Sequence, residues 1–214
     1  MLATPQAADK WDLKAALAPK ATTTWDLVSS VNQAGEDHTA TMKLIISLKD
    51  AEKDKPQKAT YSWKELLLDG GQNIPDNDWD VTIDGQGGIT DSEASDGVEA
   101  MQTLLMPMTF IYPDKPVGVG DSWTLTVKAG SDKSDRSYTI EAKADSMDKV
   151  GDADAMKVTE KIDQKGDDKL TADGTWWVDK TGKVLKFEVK ASGWKVPMAG
   201  PNAMDVTFKG TLAK

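Results

Sequence analysis

The clearest indication of the fold is the stretch Trp123-Thr-Leu-Thr-Val-Lys-Ala129, along which apolar and polar residues alternate strictly. This period of two is typical of a β-strand with one buried face and one wet face. A similar opening, Trp25-Asp-Leu27, begins an earlier run of the same kind. The paired openings indicate two pseudo-repeated halves, over about 22–95 and 120–214.

A second pair of related segments predicts one hairpin in each half. The segments are Ile83-Asp-Gly-Gln-Gly-Gly-Ile89 and Val178-Asp-Lys-Thr-Gly-Lys-Val184, each with an Asp and a Gly between two apolar residues. Because Asp and Gly are typical turn residues, each segment predicts a strand, a four-residue turn and a second strand.

The whole pattern predicts a mainly β fold of about ten or eleven antiparallel strands. One segment, about 96–108, has apolar residues at helical spacing. A sheet this wide usually curls to cover its own apolar face, so we expect a strongly curved sheet, or half-barrel, wrapped around a central helix. In this prediction residues 21–214 form a single domain, and residues 1–20 form a tail with a short helical turn at 11–17.

Composition argues against several functional classes. The formal net charge is −9 and Arg136 is the only arginine, so the chain lacks the clustered basic residues of a nucleic-acid surface. With no cysteine there is no disulfide framework and no thiolate chemistry. His38 is the only histidine, and no Gly-x-Ser-x-Gly segment exists to complete a catalytic triad with it. We expect no nucleic-acid partner, no metal and no cofactor.

The acidic segment Asp76-Asn-Asp78-Trp-Asp80 begins as a calcium-binding loop does. It lacks the glycine at the sixth position and the glutamate at the twelfth that such a loop requires. We therefore interpret it as a solvated acidic loop. The chain has 35 acidic residues, so paired carboxylates for glycoside hydrolysis stay open as a weaker alternative.

The aromatic residues suggest what the sheet encloses. Eight tryptophans outnumber the three tyrosines and three phenylalanines together. Trp and Met at inward positions either fill a wide interior or line a cavity for an apolar ligand, and the sequence leaves both alternatives open. The candidate cavity residues are Trp25, Trp63, Trp123, Trp176, Met42, Met101, Leu104, Leu105 and Met156.

Three of the other tryptophans are expected away from the inner face. Trp79, Trp177 and Trp194 fall on other faces or in loops of the predicted strands. A sugar-stacking platform would need coplanar rings on an outer face, and of the eight only Trp177 and Trp194 suit that role.

The segment Tyr112-Pro-Asp-Lys-Pro-Val-Gly-Val-Gly-Asp-Ser-Trp123 joins the two halves. Its prolines favour an extended chain and its glycines allow a tight turn. Gly118-Val-Gly120 leads into a strand and lacks a third glycine, so it does not match a dinucleotide-binding loop. We interpret the segment as a structural connector.

This connector resembles the central signature F-P-x-K-P-V-x-V-G-D-S-W of a family of uncharacterised bacterial secreted proteins and lipoproteins. Tyr112 stands where that family usually has Phe. The segment Gly174-Thr-Trp-Trp-Val-Asp-Lys-Thr-Gly182 is similar to the family's closing hairpin. The overall plan also resembles lipoprotein-localisation carriers (LolA/LolB-like). These resemblances imply an envelope protein with a hydrophobic cavity for acyl chains, and they transfer no catalytic residue.

We therefore expect a monomeric, non-enzymatic protein of the bacterial envelope, periplasmic or secreted, that binds a lipid, an acyl chain or another hydrophobic ligand in the concave face of the sheet. The alternative is a structural or protein-interaction domain with a packed core and an envelope protein partner. An envelope glycan hydrolase is the third hypothesis. Residues 1–8 lack the regions of a signal peptide, and their Ala, Pro and Gln are typical of the start of a mature secreted or lipidated chain.

Overall fold

The computed structural model describes residues 10–15, 20–33, 36–50, 56–93, 97–128, 137–166, 169–195 and 203–213. These residues contain twelve strands, one α-helix and one short 3-10 helix. The strands are β1 (Thr22–Gln33), β2 (Glu36–Leu48), β3 (Gln57–Leu68), β4 (Gln72–Ile74), β5 (Asn77–Ile83), β6 (Ile89–Ser92), β7 (Ser122–Lys128), β8 (Ser137–Val150), β9 (Ala153–Lys165), β10 (Thr171–Val178), β11 (Val184–Trp194) and β12 (Met204–Leu212).

All twelve strands join one antiparallel sheet that is nearly closed into a barrel. The strand order is β6-β5-β3-β2-β1-β12-β11-β10-β9-β8-β7, with β4 added beside β3. Pairing of β1 with β12 connects the first strand to the last, so the sheet runs without a break across both halves. The predicted fold class is confirmed. The sheet has twelve strands where the pattern predicts about ten or eleven, and the difference includes β4, a strand of only three residues.

The predicted helix is confirmed and lies at the seam between the two edge strands. Helix α1 (Gly97–Leu105) continues as a 3-10 turn over Met106–Met108, and residue 96 lies outside the described residues. The Gln102 Nε2 group donates to the carbonyls of Ile89 in β6 and Lys128 in β7, at 2.6 and 3.0 Å. One side chain of the helix therefore bridges both edges of the sheet.

The chain after the helix continues through the interior as an extended segment, residues 109–113, which we call the strap. Every residue from 101 to 113 is buried. The strap leads into the connector, where Asp121 and Gly118 close a turn with two hydrogen bonds of 3.0 Å. Gly120 in this turn has φ +94°, a conformation that favours glycine. The connector thus has the extended chain and tight turn that its prolines and glycines predict.

Residues 10–15 form an arm that lies against the domain. Trp11 pairs with Val117 through two backbone hydrogen bonds of 2.8 and 2.9 Å, and Leu13 is only 1% exposed. The predicted helical turn is wrong for residues 11–15, and residues 16 and 17 lie outside the described part of the chain. An isolated helical turn is unstable, whereas the arm gains a strand-like pairing and buries a leucine. The division into a tail and a domain stays a prediction.

None of the helices in the described ranges is long and apolar enough to cross a membrane.

Candidate functional site

The turn between β5 and β6 is organised by one carboxylate. Asp84 Oδ1 accepts hydrogen bonds from the backbone N–H groups of Gln86 and Gly88, at 2.9 and 2.8 Å. The Asp84 N–H donates to the Gly88 carbonyl, which closes the turn. Gly87 has φ +87°, where a side chain would be strained. The Asp and the Gly of the sequence pattern therefore each have a structural reason.

The turn between β10 and β11 repeats this geometry. Asp179 Oδ1 accepts hydrogen bonds from the N–H groups of Thr181 and Lys183, at 2.8 and 3.0 Å, and from the Thr181 hydroxyl at 2.6 Å. Gly182 also has φ +87°. Both segments are the strand, turn and strand that the sequence predicts, although five residues separate the strands where four were expected.

The strap connects the two turns through Tyr112. The Tyr112 N–H donates to the Gln86 carbonyl at 2.9 Å, and the Tyr112 hydroxyl donates to the Gly182 carbonyl at 2.7 Å. The Tyr112 ring packs edge-to-face on Phe110, with ring centroids 4.8 Å apart. Tyr112 thus links the two repeated turns.

An apolar crevice of about 110 Å³ opens where the strap, the two turns and strands β1, β2 and β3 meet. We call it the crevice. It is lined by aromatic and aliphatic side chains, by backbone of both turns and by Ala15 at the end of the arm. The described lining residues are Ala15, Thr23, Trp25, Ile46, Leu48, Tyr61, Ile83, Gly87, Met108, Thr109, Phe110, Tyr112, Trp176, Gly182, Lys183, Val184 and Phe187.

The size of the crevice limits what it can hold. Pockets for drug-sized ligands usually enclose about 300–1,000 Å³, and an apolar cavity of about 150 Å³ accepts benzene. The crevice is smaller than both, so it has room for a short apolar group and not for a whole acyl chain.

The structure brings two of the nine predicted cavity residues to the crevice, Trp25 and Trp176. Trp176 stacks on Phe187 with centroids 4.8 Å apart, and Trp25 is half-buried. Trp123 is buried at the start of β7 and borders an outer groove instead. The remaining predicted residues are part of the packed core: Trp63, Met42, Met101, Leu104, Leu105 and Met156.

Two of the tryptophans expected elsewhere lie inside. Trp194 is 5% exposed, and its indole N–H donates to the Leu104 carbonyl at 3.0 Å. A register shift between Ala191 and Trp194, with Gly193 at φ +76°, turns this side chain inward. Trp79 packs edge-to-face on Trp63, with centroids 5.1 Å apart.

Trp177 remains on the outer face, as expected, where its indole N–H donates to Asp148 and the Lys186 ammonium lies 4.4 Å from its ring centroid. Because Trp194 is buried, Trp177 and Trp194 cannot together form the sugar-stacking platform.

Glu160 is a buried carboxyl group that the sequence analysis missed. It is 2% exposed on β9, and its Oε1 accepts a 3.4 Å hydrogen bond from the Ile111 N–H of the strap. Burial raises the pKa of Glu160 to about 8, partly offset by the hydrogen bond from the Ile111 N–H. Among the described residues it is the only buried carboxylate.

The sequence feature that could have revealed Glu160 is its place in the alternating pattern of β9. The apolar residues Met156, Val158 and Ile162 fall on one face of an alternating strand, and position 160 lies on the same face. A charged residue at an inward position of an alternating pattern marks a buried ionisable group. The residues of the strap carried no such periodic signal, although Phe110 and Tyr112 form a wall of the crevice.

Two other polar positions lie outside the crevice. The prediction that residues 76–80 form a loop is wrong, because β5 begins at Asn77. Asp78 and Asp80 pair with Lys64 and Lys49, at 3.0 and 2.9 Å, on the outer face of the sheet.

His38 forms a hydrogen bond of 2.8 Å with Asp69, and that carboxylate raises the pKa of His38. In the part of the chain that the structure describes, no group of three or more His, Cys, Asp or Glu residues is placed to hold a metal ion.

Comparison with known proteins leaves the family unassigned. No family model matches the chain, and no curated protein matches it. The chain is similar to a predicted exported protein with a YmcC-like fold from Bacteroides fragilis, with a TM-score of 0.35 and 9% identity, over 92% of this chain and 97% of that chain. A similarity this weak supports no conclusion about function. The resemblance to secreted proteins and to LolA/LolB-like carriers stays a prediction.

Proposed function

We propose that this protein is a non-enzymatic binding protein of the bacterial envelope that holds a short apolar group in the crevice. The observation that carries the proposal is the crevice itself, an apolar opening walled by Trp25, Phe110, Trp176 and other rings. Large aromatic side chains usually close on one another in a core. Here they leave a space that is open to an apolar group from outside.

The size of the crevice sharpens the ligand class. Each buried CH₂ group contributes about 0.8 kcal/mol, so a short alkyl end gains enough to bind weakly and reversibly. The rest of a longer ligand would remain outside the barrel, because α1 and the strap occupy its interior. The end of an acyl chain or a small hydrophobic molecule fits this description.

Catalysis is not part of the proposal. Glycoside hydrolysis requires two carboxyl groups that flank the bond, and Glu160 has no second buried carboxylate beside it among the described residues. Glu160 also contacts the strap backbone and does not line the crevice.

The test is an NMR titration of the tryptophan indole N–H signals with hexanol. We expect the Trp25 and Trp176 signals to shift and the Trp63 and Trp177 signals to stay. Ile46→Phe places a ring in the crevice and should abolish the shifts. Val28→Phe adds the same ring on the outer face of β1, where Val28 is 41% exposed, and should leave the shifts intact. Absence of any shift in the unmodified protein would refute the proposal.

The second candidate is a protein-interaction domain. It is favoured by an open groove of about 890 Å³ across the outer face of β7 to β12, with alternating charged and hydroxyl side chains such as Lys143, Thr159 and Glu188. Hexanol that shifts no indole signal would leave this outer surface as the better supported site.

A further inference from the structure

We propose that the natural ligand of the crevice is an amphiphile with an anionic head group, whose head lies against Lys183 while its apolar end enters the crevice. This inference rests on the proposed function and adds the charge of the ligand to it. It follows from the distribution of charge around the crevice.

Lys183 is the only residue of the described lining whose side chain ordinarily carries a charge near neutral pH. No carboxylate lines the crevice. The two tyrosines of the lining stay neutral, since burial raises the pKa of Tyr61 to about 12 and raises the pKa of Tyr112 further. The chain as a whole has a net charge of −9, so a single cation beside an apolar opening is a specific local feature.

The Lys183 ammonium has no salt bridge among the described residues. Lys14, which precedes the crevice residue Ala15, does have one: it pairs with Asp12 at 2.6 Å. Asp179, on the same turn as Lys183, directs Oδ1 at two backbone N–H groups and a hydroxyl. That oxygen therefore shapes the turn, and Lys183 itself is exposed.

The position of Lys183 is also fixed. Its backbone N–H donates to Asp179 at 3.0 Å, and its two neighbours, Gly182 and Val184, line the crevice themselves. The corresponding residue of the first turn is Gly88, which is buried against Asp84 and carries no charge. The second turn therefore places a lysine at this position, whereas the first turn places a glycine beside the Asp84 carboxylate.

The experiment compares two probes of equal chain length, hexanoate and hexanol, by their shifts of the Trp25 and Trp176 indole signals. An exposed ion pair contributes less than about 1 kcal/mol, so Lys183→Gln should weaken hexanoate binding by about two- to fivefold. Hexanol binding should not change. Lys180→Gln removes a lysine of the same turn that does not line the crevice, and should leave both probes unaffected. Added salt should weaken hexanoate and not hexanol.

Two results would overturn the inference. One is hexanoate binding that is unchanged in Lys183→Gln, or weakened equally in Lys180→Gln, while hexanol still binds. The crevice would then bind apolar groups regardless of their charge. The other is a failure of both probes to shift the crevice indoles, which removes the proposed function together with this inference.

Discussion

The turn at residues 84–88 and the turn at residues 179–183 have the same internal hydrogen bonds and the same glycine φ, yet they have different neighbours. A Cβ at Gly87 would lie 3.1 Å from the Phe110 carbonyl, inside the barrel, and one at Gly182 would overlap the Lys14 carbonyl of the arm. An Asp and a Gly are enough to specify the turn. What the turn supports is decided by chain far away in sequence.

The largest expected effect comes from adding one methyl group to each turn. Gly182→Ala should lower the free energy of unfolding by about 2–5 kcal/mol, because positive φ costs about 1–2 kcal/mol and overpacking against backbone costs about 1–3 kcal/mol more. Gly87→Ala should cost about 2–3 kcal/mol, since the distance from its added Cβ to the Phe110 carbonyl is closer to an ordinary van der Waals distance. Urea unfolding measures both.

Gly120→Ala is the matched control for backbone strain. Gly120 has φ +94° and nothing within 4 Å of an added Cβ, so only the cost of positive φ applies there. If Gly182→Ala were no more destabilising than Gly120→Ala, the arm would not rest on the second turn and the difference between the two turns would disappear.

A second test replaces Glu160, which contacts the strap between the turns, and leaves both turns unchanged. The folded protein keeps the Glu160 proton up to its raised pKa of about 8, while the unfolded chain loses it near 4.5. The folded state therefore binds more protons between these values, and this group's contribution to stability falls as pH rises from about 4.5 to about 8. Glu160→Gln should remove that slope, a difference of at most about 5 kcal/mol across the window.

Glu188→Gln is the control, because its effect has the opposite sign. Lys186 lowers the pKa of Glu188, so this carboxylate stabilises the fold above its unfolded pKa and loses that contribution as pH falls. A Glu160→Gln variant with the same pH profile as the unmodified protein would show that Glu160 is not buried as a neutral acid. Thermal unfolding across the pH range distinguishes the outcomes.

The sequence predicts the sheet well because each half-buried strand has the same period of two. It predicts the central helix because residues 97–105 depart from that period. Both turns are also predictable, since their Asp and Gly act within four residues. These features depend on local chemistry, which a single sequence contains.

The parts that were missed depend on distant contacts or on a local irregularity. Trp194 faces inward because Gly193 shifts the register of β11, and a strict alternation places it wrongly. The arm is extended because Trp11 pairs with Val117, a contact across the whole first half of the chain. Trp63 and Met156 do face inward, as predicted. The sequence pattern does not indicate that other side chains pack around them, or that the opening lies at the strap.

The smallest predicted effect comes from removing the contact between the strap and the second turn only. Tyr112→Phe removes the 2.7 Å hydrogen bond to the Gly182 carbonyl and keeps the ring against Gly87, so it should cost about 1–2 kcal/mol. Hydrogen exchange should then become faster at the Gly182 and Lys183 amides and stay unchanged at Gly87. Equal loss of protection in both turns would mean that Tyr112 stabilises them as one unit. In that case loss of this one hydroxyl would loosen the whole crevice, and not only its Lys183 side.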